Sequence, residues 1–454
     1  MPGGSVWHCS GVLKFGTDGV RGVANLDLTP ELVLALGRAA ARVLPSWRFV
    51  VGRDTRRSGP LLEAALIAGL TAEGADVVTL GVVPTPTVAW VAAREGAAGA
   101  VISASHNPFE DNGVKLFGTG GKKLRDDLET ELEETLHGLL SHEAIGPARI
   151  GDAIGTVIDG ADEVAAWAAS VEASIDGRRL DGLKVVVDCA NGALSDVGPR
   201  VLRTLGAELI VLHAEPDGTN INAGCGSTHP RDLQRAVVDA GAVAGIAFDG
   251  DGDRALAVDA TGRLIDGDQI IGIAAIDRHA RGLLAKGTVV VTVMTNLGFR
   301  LGMVDHGIEV LEVPVGDRFV LEALDASGLT LGGEQSGHVI FADRATTGDG
   351  LLTAVQLLDV VARTGRSLAD LADGAMTRLP QVLRNVRVSS GASDAVAAVA
   401  ADVASVEAEL GDHGRVLIRA SGTEPLVRVM VEAPTAALAE AAAERLAGAV
   451  AALG

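Results

Sequence analysis

The chain has 454 residues, enough for about three or four domains of ordinary size. Its formal net charge of −21 excludes a basic nucleic-acid face, and any anionic ligand needs local arginines against an unfavourable overall field. Three cysteines (Cys9, Cys189, Cys225) without paired spacing exclude a disulfide framework or zinc ribbon, and the absence of Tyr excludes a phenolic acid or base.

In chain order, a loose leader precedes Phe15-Gly16-Thr17-Asp18-Gly19-Val20-Arg21-Gly22, where glycines around Arg21 let backbone and guanidinium approach an anion. Thr29 predicts an N-cap and Pro30 a first-turn proline for a helix to about residue 43. Residues 49–52 read as a strand, followed by Arg53-Asp54-Thr55-Arg56. Residues 61–72 read as a helix closed by Gly74, and 77–80 as the next strand. A helix after Pro86 leads into the apolar run 98–102, a buried strand of a parallel sheet. That run ends in Ser103-Ala104-Ser105-His106-Asn107-Pro108, where an open α/β sheet gathers its ligands, so Ser105 is the candidate nucleophile. Lys115, in Asn112-Gly113-Val114-Lys115, is a candidate acid, base or phosphate contact. Gly-Thr-Gly-Gly-Lys-Lys at 118–123 lacks the Walker spacing, which argues against a P-loop kinase.

Residues 125–160 are polar and partly helical, and carry the chain out of the first domain. A second α/β unit follows, with strands at 183–188, 208–212 and 245–248. It opens onto Asp249-Gly250-Asp251-Gly252-Asp253-Arg254, whose carboxylates can converge on one hard cation. An EF-hand is rejected because its sixth and twelfth positions hold Arg254 and Ala260. A dinucleotide fingerprint is rejected because Asp251 and Asp253 repel a pyrophosphate. A third unit carries strands at 289–293 and 310–313, Gly316-Asp317-Arg318, and Gly332-Gly333-Glu334-Gln335-Ser336-Gly337-His338. In the last segment 382–388, 415–419 and 428–432 read as strands and 394–410 as an Ala-rich helix capped by Ser393. Ser421-Gly422-Thr423, flanked by Arg419 and Arg428, suits a phosphate cradle.

Together the serine, metal, sugar and phosphate loops resemble, in kind and order, those of the α-D-phosphohexomutases, over about residues 15–432. The stretch 15–21, Cys225-Gly226-Ser227-Thr228-His229-Pro230, the sugar loop and Gly422-Thr423-Glu424-Pro425 are similar to the glucosamine branch. The resemblance implies α/β architecture, with three doubly wound α/β domains plus a C-terminal α+β domain around a central cleft. Boundaries are expected at 1–158, 159–259, 260–374 and 375–454. It implies an isomerase whose phosphorylated Ser105 gives its phosphoryl group to O1 of glucosamine 6-phosphate. Glucosamine 1,6-bisphosphate is the intermediate and activator, and glucosamine 1-phosphate the product. One Mg²⁺ is implied on Ser105, Asp249, Asp251 and Asp253, with Arg254 beside it. Lys115, Arg21 and His338 become candidates for proton transfer and charge stabilisation, while His106 orients the serine loop. Glu334 and Ser336 are implied for sugar hydroxyls, and Arg419, Ser421, Gly422, Thr423 and Arg428 for the distal phosphate. A phosphomannomutase or phosphoglucomutase with the same machinery is the alternative. The expected partner is a small sugar phosphate, with no nucleic acid and no membrane, for a monomer or homodimer. No signal peptide is expected, and a reducing cytoplasm is the expected location.

Overall fold

The computed structural model describes residues 19–141, 146, 149–389, 391–421 and 426–453. The expected roles of Gly422 and Thr423, and the start of the first glycine-rich stretch, lie outside the described residues.

Four sheets follow one another along the chain. The first contains β1 (Val20–Val23), β2 (Arg48–Arg53), β3 (Asp76–Val82), β4 (Ala98–Ile102), β5 (Asp111–Phe117) and β6 (Val157–Asp159), in the order β1-β5-β4-β2-β3-β6. The second contains β7 (Lys184–Asp188), β8 (Glu208–Leu212), β9 (Ala244–Phe248), β10 (Ala255–Asp259) and β11 (Leu264–Ile265), ordered β11-β10-β9-β7-β8. The third contains β12 (Thr288–Thr292), β13 (Glu309–Val313), β14 (Leu331–Gly333) and β15 (Val339–Phe341), ordered β13-β12-β14-β15. The last is antiparallel, β16 (Gln381–Arg387), β17 (Arg415–Ala420) and β18 (Leu426–Glu432), with β18 in the centre.

Each of the first three sheets has parallel pairs at its heart, which demand helical crossovers and apolar strands. Val185, Val186 and Val187 of β7 are accordingly fully buried, each side chain contributing about 1.5–3 kcal/mol. One edge of each sheet is antiparallel, so β4 pairs parallel with β2 but antiparallel with β5. A ligand loop can therefore be the turn of a hairpin, with chemistry on both arms.

Residues 112–115, given no element above, belong to a strand, β5, which places Lys115 opposite Val101. Two expectations are corrected. The segment after residue 140 returns to the first sheet, where β6 pairs with β3. Asp76 draws it back, accepting from the Thr156 amide at 2.8 Å and its hydroxyl at 2.7 Å. The helix expected over 394–410 is two helices, Ala392–Ala398 and Ala400–Leu410, which turn at buried Val399 so that both lie against β17. Ser393 sits inside the first of them and Gly391 holds the cap position. The Thr29 cap is present, its hydroxyl accepting from the Leu32 amide at 3.3 Å.

Candidate active site

Ser105 lies in the turn of the β4–β5 hairpin. It is 1% exposed and holds φ +52°, a left-handed conformation that costs a serine on the order of 1 kcal/mol. Surrounding groups over-determine it. Its amide donates to Ser103 Oγ at 2.9 Å. Its carbonyl accepts from Arg56 Nη2 at 3.2 Å and Asn222 Nδ2 at 2.9 Å. The same two side chains reach the Asn107 carbonyl at 2.7 and 3.1 Å. Fully buried Arg56 pairs with Asp54, which also accepts the Ser103 hydroxyl. The strained turn aims Ser105 Oγ at Asp249 Oδ2, 2.7 Å away, with His106 Nδ1 at 3.4 Å. Burial, with Arg254 and Arg21 nearby, pushes the His106 pKa down.

Asp249, Asp251 and Asp253 form the turn between β9 and β10. All three are buried, with ligand oxygens within 4.8 Å of one another. Gly250 permits the approach, since a Cβ there would stand 2.6 Å from the Ser105 carbonyl oxygen. Lys115 Nζ donates to Asp251 Oδ2 at 2.7 Å and Asp253 Oδ2 at 3.4 Å, and Thr85 Oγ1 donates to Asp251 Oδ2 at 2.7 Å. The Arg254 amide donates to Asp249 Oδ1 at 3.2 Å, and its guanidinium lies 3.8 Å from Asp253. Burial and its two acidic neighbours push Asp249 well above the usual carboxylate range. Burial also opposes the charge on Asp253, but Lys115, His338 and Arg254 outweigh it and hold that carboxyl well below the usual range. Asp251 Oδ1 and Asp253 Oδ1 are buried without a hydrogen-bond donor. Orphaned oxygens in an oxygen-only set fit a hard divalent cation.

The sugar loop is the hairpin turn between β14 and β15, and it leans on the metal loop. The Ala255 amide donates to the Gly337 carbonyl at 3.0 Å, and Gly337 (φ +91°) has no room for a Cβ beside the Ala255 carbonyl. Glu334 accepts from the Gly316 amide at 3.1 Å, and Ser336 Oγ is buried without a hydrogen-bond partner. His338 stands between Asp253 (3.7 Å) and Asp317 (3.6 Å), and its Nε2 receives the Gly348 amide at 3.1 Å. Burial disfavours its charged form, but Asp253, Asp317 and Glu334 outweigh burial and raise its pKa.

On the last sheet Arg419 of β17 sits directly opposite Arg428 of β18. Like charges facing across an antiparallel pair are destabilising, and neither has a carboxylate partner among the described residues. Burial and the neighbouring Arg428 lower the Arg419 pKa. Such a pair can take an anion between its two guanidinium groups.

The structure thus gathers Ser105, Lys115, Asp249, Asp251, Asp253, Arg254 and His338 into one cluster. Arg21 lies on β1 opposite Gly113, close enough for its charge to reach His106. Glu334 and Ser336 adjoin the cluster through Gly337, whereas Arg419, Ser421 and Arg428 make no hydrogen bond with it among the described residues. Sequence reasoning missed the clamp of Asp54, Arg56, Ser103 and Asn222, and missed Thr85. The signal for part of it was Arg53-Asp54-Thr55-Arg56, three charged residues gathered at the end of a buried strand.

Comparison with known proteins places the site in context. Residues 12–142, 164–262 and 266–379 match the alpha/beta/alpha domains I, II and III of phosphoglucomutase/phosphomannomutase, and 383–449 match its C-terminal domain. Phosphoglucosamine mutase of Frankia alni is 54% identical over 450 residues, covering 96% of this chain and 97% of its own. That of Frankia casuarinae is 55% identical over 455 residues, covering 97% and 98%. A phosphoglucomutase/phosphomannomutase family protein from Burkholderia thailandensis has a similar crystal structure, with a TM-score of 0.79, 27% identity and 98% of both chains covered.

Proposed function

The chain belongs to the phosphoglucosamine mutases of the phosphoglucomutase/phosphomannomutase family, enzymes that interconvert hexosamine phosphates, and we propose that it does so through a phosphorylated Ser105. The substrate is glucosamine 6-phosphate and the product glucosamine 1-phosphate. The carrying observation is Ser105 Oγ, held by a strained turn 2.7 Å from Asp249 of a buried acidic triad.

In the first half-reaction the sugar O1 attacks the phosphoryl group on Ser105. The O1–P bond forms, the Oγ–P bond breaks, and the O1 proton leaves. His338 and Lys115 stand beside the triad to take or return that proton. Arg254 and Arg21 add fixed positive charge where the transferring group carries negative charge. The product of this step is glucosamine 1,6-bisphosphate. It then turns over in the cleft, Ser105 Oγ attacks the old 6-phosphate, and glucosamine 1-phosphate remains. Glu334 and Ser336 hold hydroxyls in both orientations, and Ser336 Oγ has no competing internal bond. Arg419 and Arg428, with Ser421, hold the phosphate that is not reacting, and its two negative charges relieve their mutual repulsion. Asp249, Asp251 and Asp253 suit one Mg²⁺, which when bound supplies Lewis-acid stabilisation of the phosphoryl oxygens. No described helix is long and apolar enough to cross a membrane.

The test is ³¹P NMR of the purified chain with glucosamine 6-phosphate, Mg²⁺ and a trace of sugar bisphosphate, beside glucose 6-phosphate. Growth of glucosamine 1-phosphate, with little from glucose, is expected. Faster turnover of glucose 6-phosphate moves the chain to the glucose or mannose branch. Steady release of inorganic phosphate alone would mean that water, not the sugar, accepts the phosphoryl group.

A further inference from the structure

A second cluster of metal-ligating side chains lies on the second sheet, apart from the acidic triad. β7 ends in Asp188, β8 is followed by His213, and Cys225 closes the long loop after it. A carboxylate oxygen of Asp188, a ring nitrogen of His213 and the Cys225 sulfur all lie within 4.8 Å of one another. His213 Nδ1 stands 3.1 Å from Asp188 Oδ2, yet it is buried without a hydrogen-bond partner. Two ligands at about 2.0–2.1 Å from a tetrahedral cation lie about 3.3 Å apart, so this spacing also fits two co-ligands of one cation. Cys225 is fully buried, and its thiol makes no hydrogen bond among the described residues.

The surroundings are built as well. Asp188 is fixed by the Ala190 amide on Oδ1 and the Gly226 amide on Oδ2, each at 2.9 Å. The far nitrogen of His213 faces Asp232 Oδ2 at 3.8 Å, the side from which a carboxylate orients a ligating imidazole.

We propose that Asp188, His213 and Cys225 form a second cation site, for a thiophilic divalent metal of the zinc class. A carboxylate, a thiolate and a neutral imidazole together neutralise a +2 ion, and sulfur with nitrogen selects zinc over magnesium. Binding exchanges the Cys225 S–H bond for a sulfur–metal bond and releases one proton to solvent. The consequence reaches Ser105. His213 and Cys225 bracket the loop that carries Asn222, whose amide grips the Ser105 and Asn107 carbonyls. A cation there ties both ends of the segment that steadies the serine turn.

Cobalt(II) titration of the chelator-stripped full chain, in excess Mg²⁺, tests the proposal. A near-ultraviolet thiolate-to-cobalt band is expected, saturating at one equivalent and displaced by Zn²⁺, with one proton released per ion. Cys225→Ser removes the band, while Asp251→Asn leaves it unchanged. His213→Asn weakens cobalt binding at least tenfold, and Asn tolerates the positive φ of position 213 (+48°), so the loop keeps its course. A missing band in the parent chain, a band that survives Cys225→Ser, or one lost in Asp251→Asn overturns the site. If Cys225→Ser does not fold, unchanged cobalt affinity in His213→Asn overturns it alone.

Discussion

The serine–aspartate cluster and the facing arginines of the last sheet handle charge in opposite ways. Around Ser105, Arg56 meets Asp54, Lys115 meets Asp251 and Asp253, and even the turn carbonyls are taken by Arg56 and Asn222. Arg419 and Arg428 face each other with no carboxylate partner among the described residues. Where bonds change, side chains must be held in place before substrate arrives, because reorganisation during the reaction adds to the barrier. Where a group only has to recognise a phosphate, as proposed for Arg419 and Arg428, positive charge left without an internal partner favours the anion. The serine turn is therefore braced before substrate arrives, whereas the facing arginines await the phosphate proposed to bind there.

The strongest break of this contrast is Ser105→Ala, expected to lower turnover by at least about 10³-fold while circular dichroism and the melting transition stay unchanged. Near-normal turnover would remove the nucleophile and with it the purpose of the clamp. Next in size is Arg56→Ala, which leaves Asp54 buried without its partner and should cost about 3–5 kcal/mol in urea unfolding. Arg428→Ala sharpens the contrast. It should raise KM for glucosamine 6-phosphate about 10–100-fold, the worth of a charge-assisted bond, without loss of stability because a repulsion is removed. Comparable destabilisation by both arginine variants would mean that the two regions handle charge alike.

The effect that is smallest at any one pH step concerns Asp268, another buried carboxyl. It accepts from the Asn296 amide at 2.9 Å and Gln335 Nε2 at 3.2 Å, and burial together with Asp266 pushes it up to about 7. A carboxyl raised in the folded state binds its proton more tightly there than in the unfolded chain. Its stabilisation is full below about pH 4 and is lost as pH rises through about 7. Asp268→Asn should flatten the fall in stability over that window, by up to about 1.4 kcal/mol per pH unit. Parallel unfolding profiles for the two chains from pH 4 to 7 would show that Asp268 does not titrate there.

Much of this protein was legible in the chain because strand ends are local. An apolar run that stops just before Ser103 or Asp249 announces both a buried strand and the turn beyond it where ligands collect. Thr29 announced its helix for the same reason, since a cap acts on an amide three residues away. The clamp on the serine turn was not legible. Arg56 and Asn222 stand 49 and 117 residues from Ser105, and only the packing of two sheets brings them to one carbonyl. The break at Val399 followed from the need of two short helices to cover one sheet, not from helix propensity. The Asp188, His213 and Cys225 cluster has no spacing that a metal motif would show, because strand order rather than sequence distance makes its residues neighbours. By itself the sequence determined which elements form and which chemical groups end them, since hydrophobic period, turn residues and caps act over a few residues. Tertiary structure alone decided which of those groups meet, because register and sheet order join segments far apart in the chain.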